Sequence, residues 1–176
     1  MLFSDAARVN KKNHIGLYGS LKIKMSIKLF TYDLRIYKKA NQEIQKQIKK
    51  YNIRIHKKKF RTNVGRAWVH LNLVKIPFIY DIESIYIIFH EIGHIRHNHD
   101  DKKWNYLQEL QAESYALSQL RKIGIKQKYP KEYKEVHERA KLYVMTNILY
   151  DIEIGLKVKD ISNQALRFCN LKKIKK

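Results

Sequence analysis

Between Ile82 and His97 one stretch carries two patterns that only a helix satisfies together. Isoleucines at 85, 88, 92 and 95 recur at three- and four-residue steps, which lays them on one stripe of a helix. His90-Glu91-Ile92-Gly93-His94 runs through the same stretch, its two histidines four apart and off that stripe. Side chains four apart stand one above the other on a helix, so two imidazole nitrogens can converge on one ion. Glu91 lies about 100° round from His90, off the pair yet within reach of a water at such an ion. A general base belongs there if it is to deprotonate the water and pass the proton to a leaving amine. The chain's own His and Glu frequencies give roughly 0.02 chance occurrences of this spacing. Solvated or hydrogen-bonded helix histidines are therefore the weaker reading. Gly93 points the same way. A glycine inside a helix costs about 1 kcal/mol relative to alanine, and a second backbone passing close by would explain it.

A catalytic zinc takes three protein ligands and keeps one position open. The third comes from among His97, His99, Asp100, Asp101, Glu109 and Glu113. His97 is a turn too far along the helix, and His99 returns to the ion only if the chain turns sharply just after the helix. Both read as bystanders, with His99 the alternative ligand. Asp100 and Asp101 read as caps for the next helix. Glu109 and Glu113 share a face of that helix with Ala112 and Ala116, a surface small enough for close helix packing. Glu109 is assigned as the ligand. Glu113, one turn on, is assigned to the remaining N–H of a ligand histidine.

Elsewhere, periodicity predicts a helix over 31–51, strands at 53–60 and 66–76, and helices at about 104–122, 131–154 and 160–170. In the 66–76 strand, Ala67, Val69, Leu71 and Leu73 fall on one face and Trp68, His70 and Asn72 on the other. Gly124 and Gly155 end two of the helices, and Pro77 closes the second strand. The order α-β-β-α-α-α-α is that of an α+β protein with a small sheet packed on helices. Residues 1–30 read as a flexible or partly ordered N-terminal segment, and 31–176 as a single domain ending in a basic tail.

A single cysteine, Cys169, excludes a disulfide framework and fits a reducing compartment, so a cytoplasmic location is expected. No apolar run is long enough to span a bilayer, and no membrane partner is expected. The net charge of +21 is uneven. Residues 22–66 hold 15 Lys/Arg against 2 Asp/Glu, whereas 67–130 hold 8 against 7. A basic arm before a near-neutral centre points to nucleic acid or another anionic partner, or to lysines on solvated faces.

HEIGH at 90–94 followed by ELQAESYA at 109–116 resembles the gluzincin zinc peptidases, and above all the ImmA/IrrE family of metallopeptidases. That family's downstream pattern is E-x-x-A-(D/E/N)-x-(F/Y)-A. The stretch GRAWVHLNLVKIP resembles the strand before the motif helix in small members, so the likeness covers roughly residues 65–123. It implies a zincin-like core in which a short sheet packs on the motif helix and the following ligand helix. It also implies Zn2+ on His90, His94 and Glu109, Glu91 as base, and endopeptidase action on protein or peptide substrates, often DNA-binding repressors. An oxyanion donor is expected beside the metal, with Tyr115, His137 and Tyr143 as candidates. The 66–76 strand serves either as an edge for an extended substrate or as ordinary sheet packing. Two other readings stand: a DNA-tethered protease with His99 in place of Glu109, and a non-catalytic protein whose metal staples two helices while the basic segment holds nucleic acid.

Overall fold

The computed structural model describes residues 33–56, 64–99 and 104–172. The expected N-terminal segment 1–30 and the far half of the first predicted strand lie outside them, as do Asp100 and Asp101. The architecture is α+β: mostly helical, with a three-stranded sheet. No described helix is long and apolar enough to cross a membrane.

Helix α1 (Leu34–Lys50) starts at Asp33, whose side chain accepts from the Arg35 N–H at 2.7 Å. It buries Ile36, Ala40 and Ile44. Strand β1 (Arg54–Ile55) follows, then β2 (Arg66–Trp68) and β3 (Leu73–Lys75). β3 is central, parallel to β1 and antiparallel to β2, which among the described residues leaves β2 at an edge of the sheet.

The single strand expected at 66–76 is corrected here. Val69–Leu71 form a 3₁₀ turn and Asn72 is left-handed (φ 46°), so the stretch is a hairpin that pairs Arg66 with Lys75. The alternating faces end at Trp68. Asparagine enters the left-handed region more readily than most residues, and alternation by itself cannot register a turn of this kind.

Helix α2 (Ile82–His97) is the centre of the molecule, buried on most of its circumference. It starts in a reciprocal capping box: Ser84 N–H donates to Asp81 Oδ1 at 2.7 Å, and Asp81 N–H donates to Ser84 Oγ at 3.1 Å. Its isoleucine stripe lies wholly in the main core. Helix α3 (Asn105–Lys122) lies along α2 more extensively than any other pair of described elements pack. A four-residue helix, α4 (Ile125–Lys128), precedes α5 (Pro130–Glu153), which has Pro130 in its first turn where a missing N–H costs nothing. A 3₁₀ turn at Val158–Asp160 leads to α6 (Asn163–Phe168), shorter than the periodicity predicts.

A second core joins α3, α5 and α6 through Tyr106, Leu110, Val144, Ile148, Leu156 and Ala165. Asp151 ties it to the start of α3. The residue before α3, Trp104, offers no side-chain cap. Instead Asp151, fully buried on α5, accepts from the Tyr106 N–H at 2.8 Å and from Asn105 Nδ2 at 3.2 Å. A cap supplied from another helix pairs one orphan backbone donor and one side-chain amide, and sets a carboxylate at the positive end of the α3 dipole. Asp151→Ala is expected to destabilise the protein by about 2 kcal/mol, read as a lower urea midpoint. A midpoint equal to wild type would show that α3 does not depend on this cap.

Candidate metal centre

The site is assembled by the close approach of α2 and α3. A Cβ on Gly93 would stand 2.9 Å from Ala112 Cα and 3.2 Å from Ala112 O, so the two backbones are as near as a bare glycine permits. One turn either way from this contact, the polar side chains of both helices meet.

His90, His94 and Glu109 converge. The two histidine Nε2 atoms are 3.0 Å apart, and Glu109 Oε2 lies 3.3 Å from the first and 3.6 Å from the second. Their other contacts set which nitrogen carries the proton. His90 Nδ1 stands 3.2 Å from Glu113 Oε1, an ion-pair distance without the alignment of a full hydrogen bond. The Tyr86 hydroxyl donates to Glu113 Oε2 and holds that carboxylate in place. His94 Nδ1 faces His99 Nδ1 at 2.7 Å, and His99 Nε2 faces Gln111 Oε1 at 2.9 Å. An amide oxygen accepts, so His99 carries its proton on Nε2 and offers the Nδ1 lone pair, and His94 must donate from Nδ1. Burial, with the charge of His94 second, lowers the His99 pKa to about 4, in keeping with a neutral ring.

Both histidines turn their Nε2 atoms toward Glu109. Glu109 Oε2 is buried without a hydrogen-bond partner. Two imidazole nitrogens and a carboxylate oxygen this close together in a buried site call for positive charge between them, carried by protons or by a metal ion. The donor set fits one: these three residues form a group whose ligand atoms all lie within 4.8 Å. Ligands about 2.0–2.1 Å from a tetrahedral ion stand about 3.3 Å apart, close to the spacing measured here. This group can hold a metal ion. The local field favours positive charge as well. Burial opposes protonation of His90, but Glu113, Glu91 and Glu109 outweigh it and lift its pKa to about 9. Burial also pulls on Glu109, yet His94 and His90 hold its carboxyl below the ordinary range.

These side chains line a cleft of about 630 Å³ whose other wall is Gly65–His70, the edge strand and the turn after it. Glu91 is buried on the same wall as His90, and burial raises its pKa above the usual carboxylate range, with His90 partly offsetting the rise. Its carboxylate rests on Gly65, where a Cβ would stand 2.5 Å from Glu91 Oε1.

Of the three oxyanion candidates, only Tyr143 lines the cleft, its ring 6.0 Å from that of His90. Tyr115 lies in the core behind Gly93, with the Arg96 guanidinium over its ring, and His137 packs between Tyr133 and Phe168. His97 stacks on His99 with ring centres 5.7 Å apart.

His99, the alternative ligand in the sequence, takes a different place from the one expected. It is buried, contributes no atom to the converging group, and instead orients His94. The return of the chain is made at Asn98, left-handed at φ 47°, after which the His99 N–H donates to His94 O at 3.3 Å. An asparagine directly after a helix is a sequence signal for such a reversal. Gln111 carries no comparable signal.

Comparison of the chain with protein-family models, with curated proteins and with solved structures gives no match. The purified protein is expected to bind one equivalent of a divalent transition metal. Glu109→Ala should abolish stoichiometric binding, and His99→Ala should weaken it about 10–100-fold, both read by titration against a chromophoric chelator. Full retention in Glu109→Ala with loss in His99→Ala would exchange the two roles.

Proposed function

We propose that the protein is a zinc-dependent endopeptidase with a zincin-like core, akin to the ImmA/IrrE metallopeptidases. The observation that carries this reading is the convergence of His90, His94 and Glu109 on the cleft wall that also bears Glu91. Two histidines and a carboxylate suit zinc, and three protein ligands leave a position for substrate chemistry. Zinc bound there supplies Lewis acidity, which acidifies water and polarises a scissile carbonyl.

The chain's own residues do the rest. Glu91, its carboxyl raised by burial, takes the proton of the attacking water and delivers it to the departing amine. Glu113 and His99 keep both ligand imidazoles in the tautomer that leaves Nε2 free. The Tyr143 phenol, held protonated by burial and by nearby Glu109 with a pKa raised to about 12, donates to the developing oxyanion. β2 borders the cleft and is an edge strand, so an extended segment of a protein substrate can pair with its backbone.

Glu91→Gln is expected to retain the metal and to lower cleavage of a casein-type substrate by at least about 100-fold. Undiminished hydrolysis would remove Glu91 from the chemistry. A wild-type protein that holds its metal firmly and cleaves no protein would instead fit a metal that only staples α2 to α3.

A further inference from the structure

The two acids of α1 and its cations are sorted onto different sides. Glu43 turns inward to Lys122 Nζ at 2.7 Å, and Asp33 at the N-cap pairs with Lys128 and with Arg35. Every exposed residue from 35 to 50 is then a cation except Gln42: Arg35, Lys38, Lys39, Lys46, Lys49 and Lys50. At about 100° and 1.5 Å per residue they fall within an arc of about 120° along about 22 Å of helix. None of the five lysines has an ion-pair partner among the described residues. Five ammonium groups in one row repel one another, and apart from the Lys50 ammonium over the Tyr51 ring and the attraction of Lys46 to Glu43, nothing in the packing of α1 calls for them. Its inner face is complete with Ile36, Ala40 and Ile44.

We infer that the outer face of α1 is a docking ridge for the phosphate backbone of nucleic acid, separate from the metal cleft and independent of the peptidase reading. The cations stand in two groups, Arg35 to Lys39 and Lys46 to Lys50, each about 6 Å long and separated by a gap of about 10 Å at Gln42, so the row can meet phosphates on either side of that gap. A protein partner fits less well, because protein interfaces are depleted in lysine and rest on aromatic or arginine anchors, whereas this row has no aromatic and its one arginine, Arg35, is paired with Asp33. A membrane surface also fits less well. A helix that lies on lipid inserts an apolar face, and the apolar face of α1 is spent on the core. With contacts only to phosphate, the binding is expected to be insensitive to base sequence and steep in salt.

The test is fluorescence anisotropy of a labelled 30-base-pair duplex with the full-length protein. Five phosphate contacts predict that affinity falls about 500-fold between 50 and 200 mM NaCl. Replacing Lys38, Lys39, Lys46, Lys49 and Lys50 together by Gln should weaken binding at least tenfold and flatten the salt dependence. A charge-matched control with Gln at Lys126, Lys131, Lys134, Lys157 and Lys159, all exposed, should bind as wild type. Lys46→Gln alone should already reduce the slope of log K against log salt by about 0.9. Circular dichroism establishes that each variant is folded. Equal loss in the ridge and control variants would make the attraction one of bulk charge and overturn the assignment. Binding to polyglutamate or to phosphatidylserine vesicles as tight as to the duplex would overturn it too.

Discussion

The near-contact of Gly93 with the backbone of Ala112 is the constraint on which the rest of the structure hangs. With any side chain at 93, α2 and α3 must separate or shift, and a few tenths of an ångström matter to atoms 3.0–3.6 Å apart. The same contact brings Glu113 beneath His90 and Gln111 beside His99. One small residue thus governs both the converging atoms and the groups that orient them. The isoleucines of α2 hold the helix in the core from the opposite side, so the polar face has no freedom to withdraw.

Burying this many ionisable groups in one place demands that each be answered by another. Glu113 is almost fully enclosed and is tolerated because Tyr86 donates to one oxygen while His90 faces the other. His99 is tolerated because burial keeps it neutral and both its nitrogens have partners. Among these groups Glu109 Oε2 has no hydrogen-bond partner, and between it, His90 and His94 the field of three glutamates favours a cation. Asp151 follows the same logic in the second core, where its buried charge is matched to the start of α3.

Much of this was legible in the chain. The helices at 34–50, 82–97, 105–122 and 130–153 follow from apolar periodicity and the residues at their ends. Where expectation and structure part, the cause is local backbone geometry or distant pairing. The 66–76 stretch alternates like a strand yet folds back on itself, because Asn72 takes a left-handed conformation and β3 finds a partner in β1. Asp151 gives no sign in sequence of capping a helix 45 residues earlier. Tyr143 is separated from the other candidates, Tyr115 and His137, only by the position of α5 beside the cleft.

The sequence by itself determined that two histidines share a helix face with a glutamate beside them, that a second helix offers two more carboxylates next to alanines, and that α1 is rich in lysine. Those are consequences of a 3.6-residue repeat and need no knowledge of the fold. Only the tertiary structure decided how the pieces meet. It put Glu109 within reach of both imidazoles, made His99 the partner of His94, and gathered the lysines of α1 into an outward row by drawing Asp33 and Glu43 toward Lys128 and Lys122. The physical reason is that convergence between elements depends on their separation and angle. Those are set by packing contacts such as Gly93 on Ala112, which no pattern within a single element encodes.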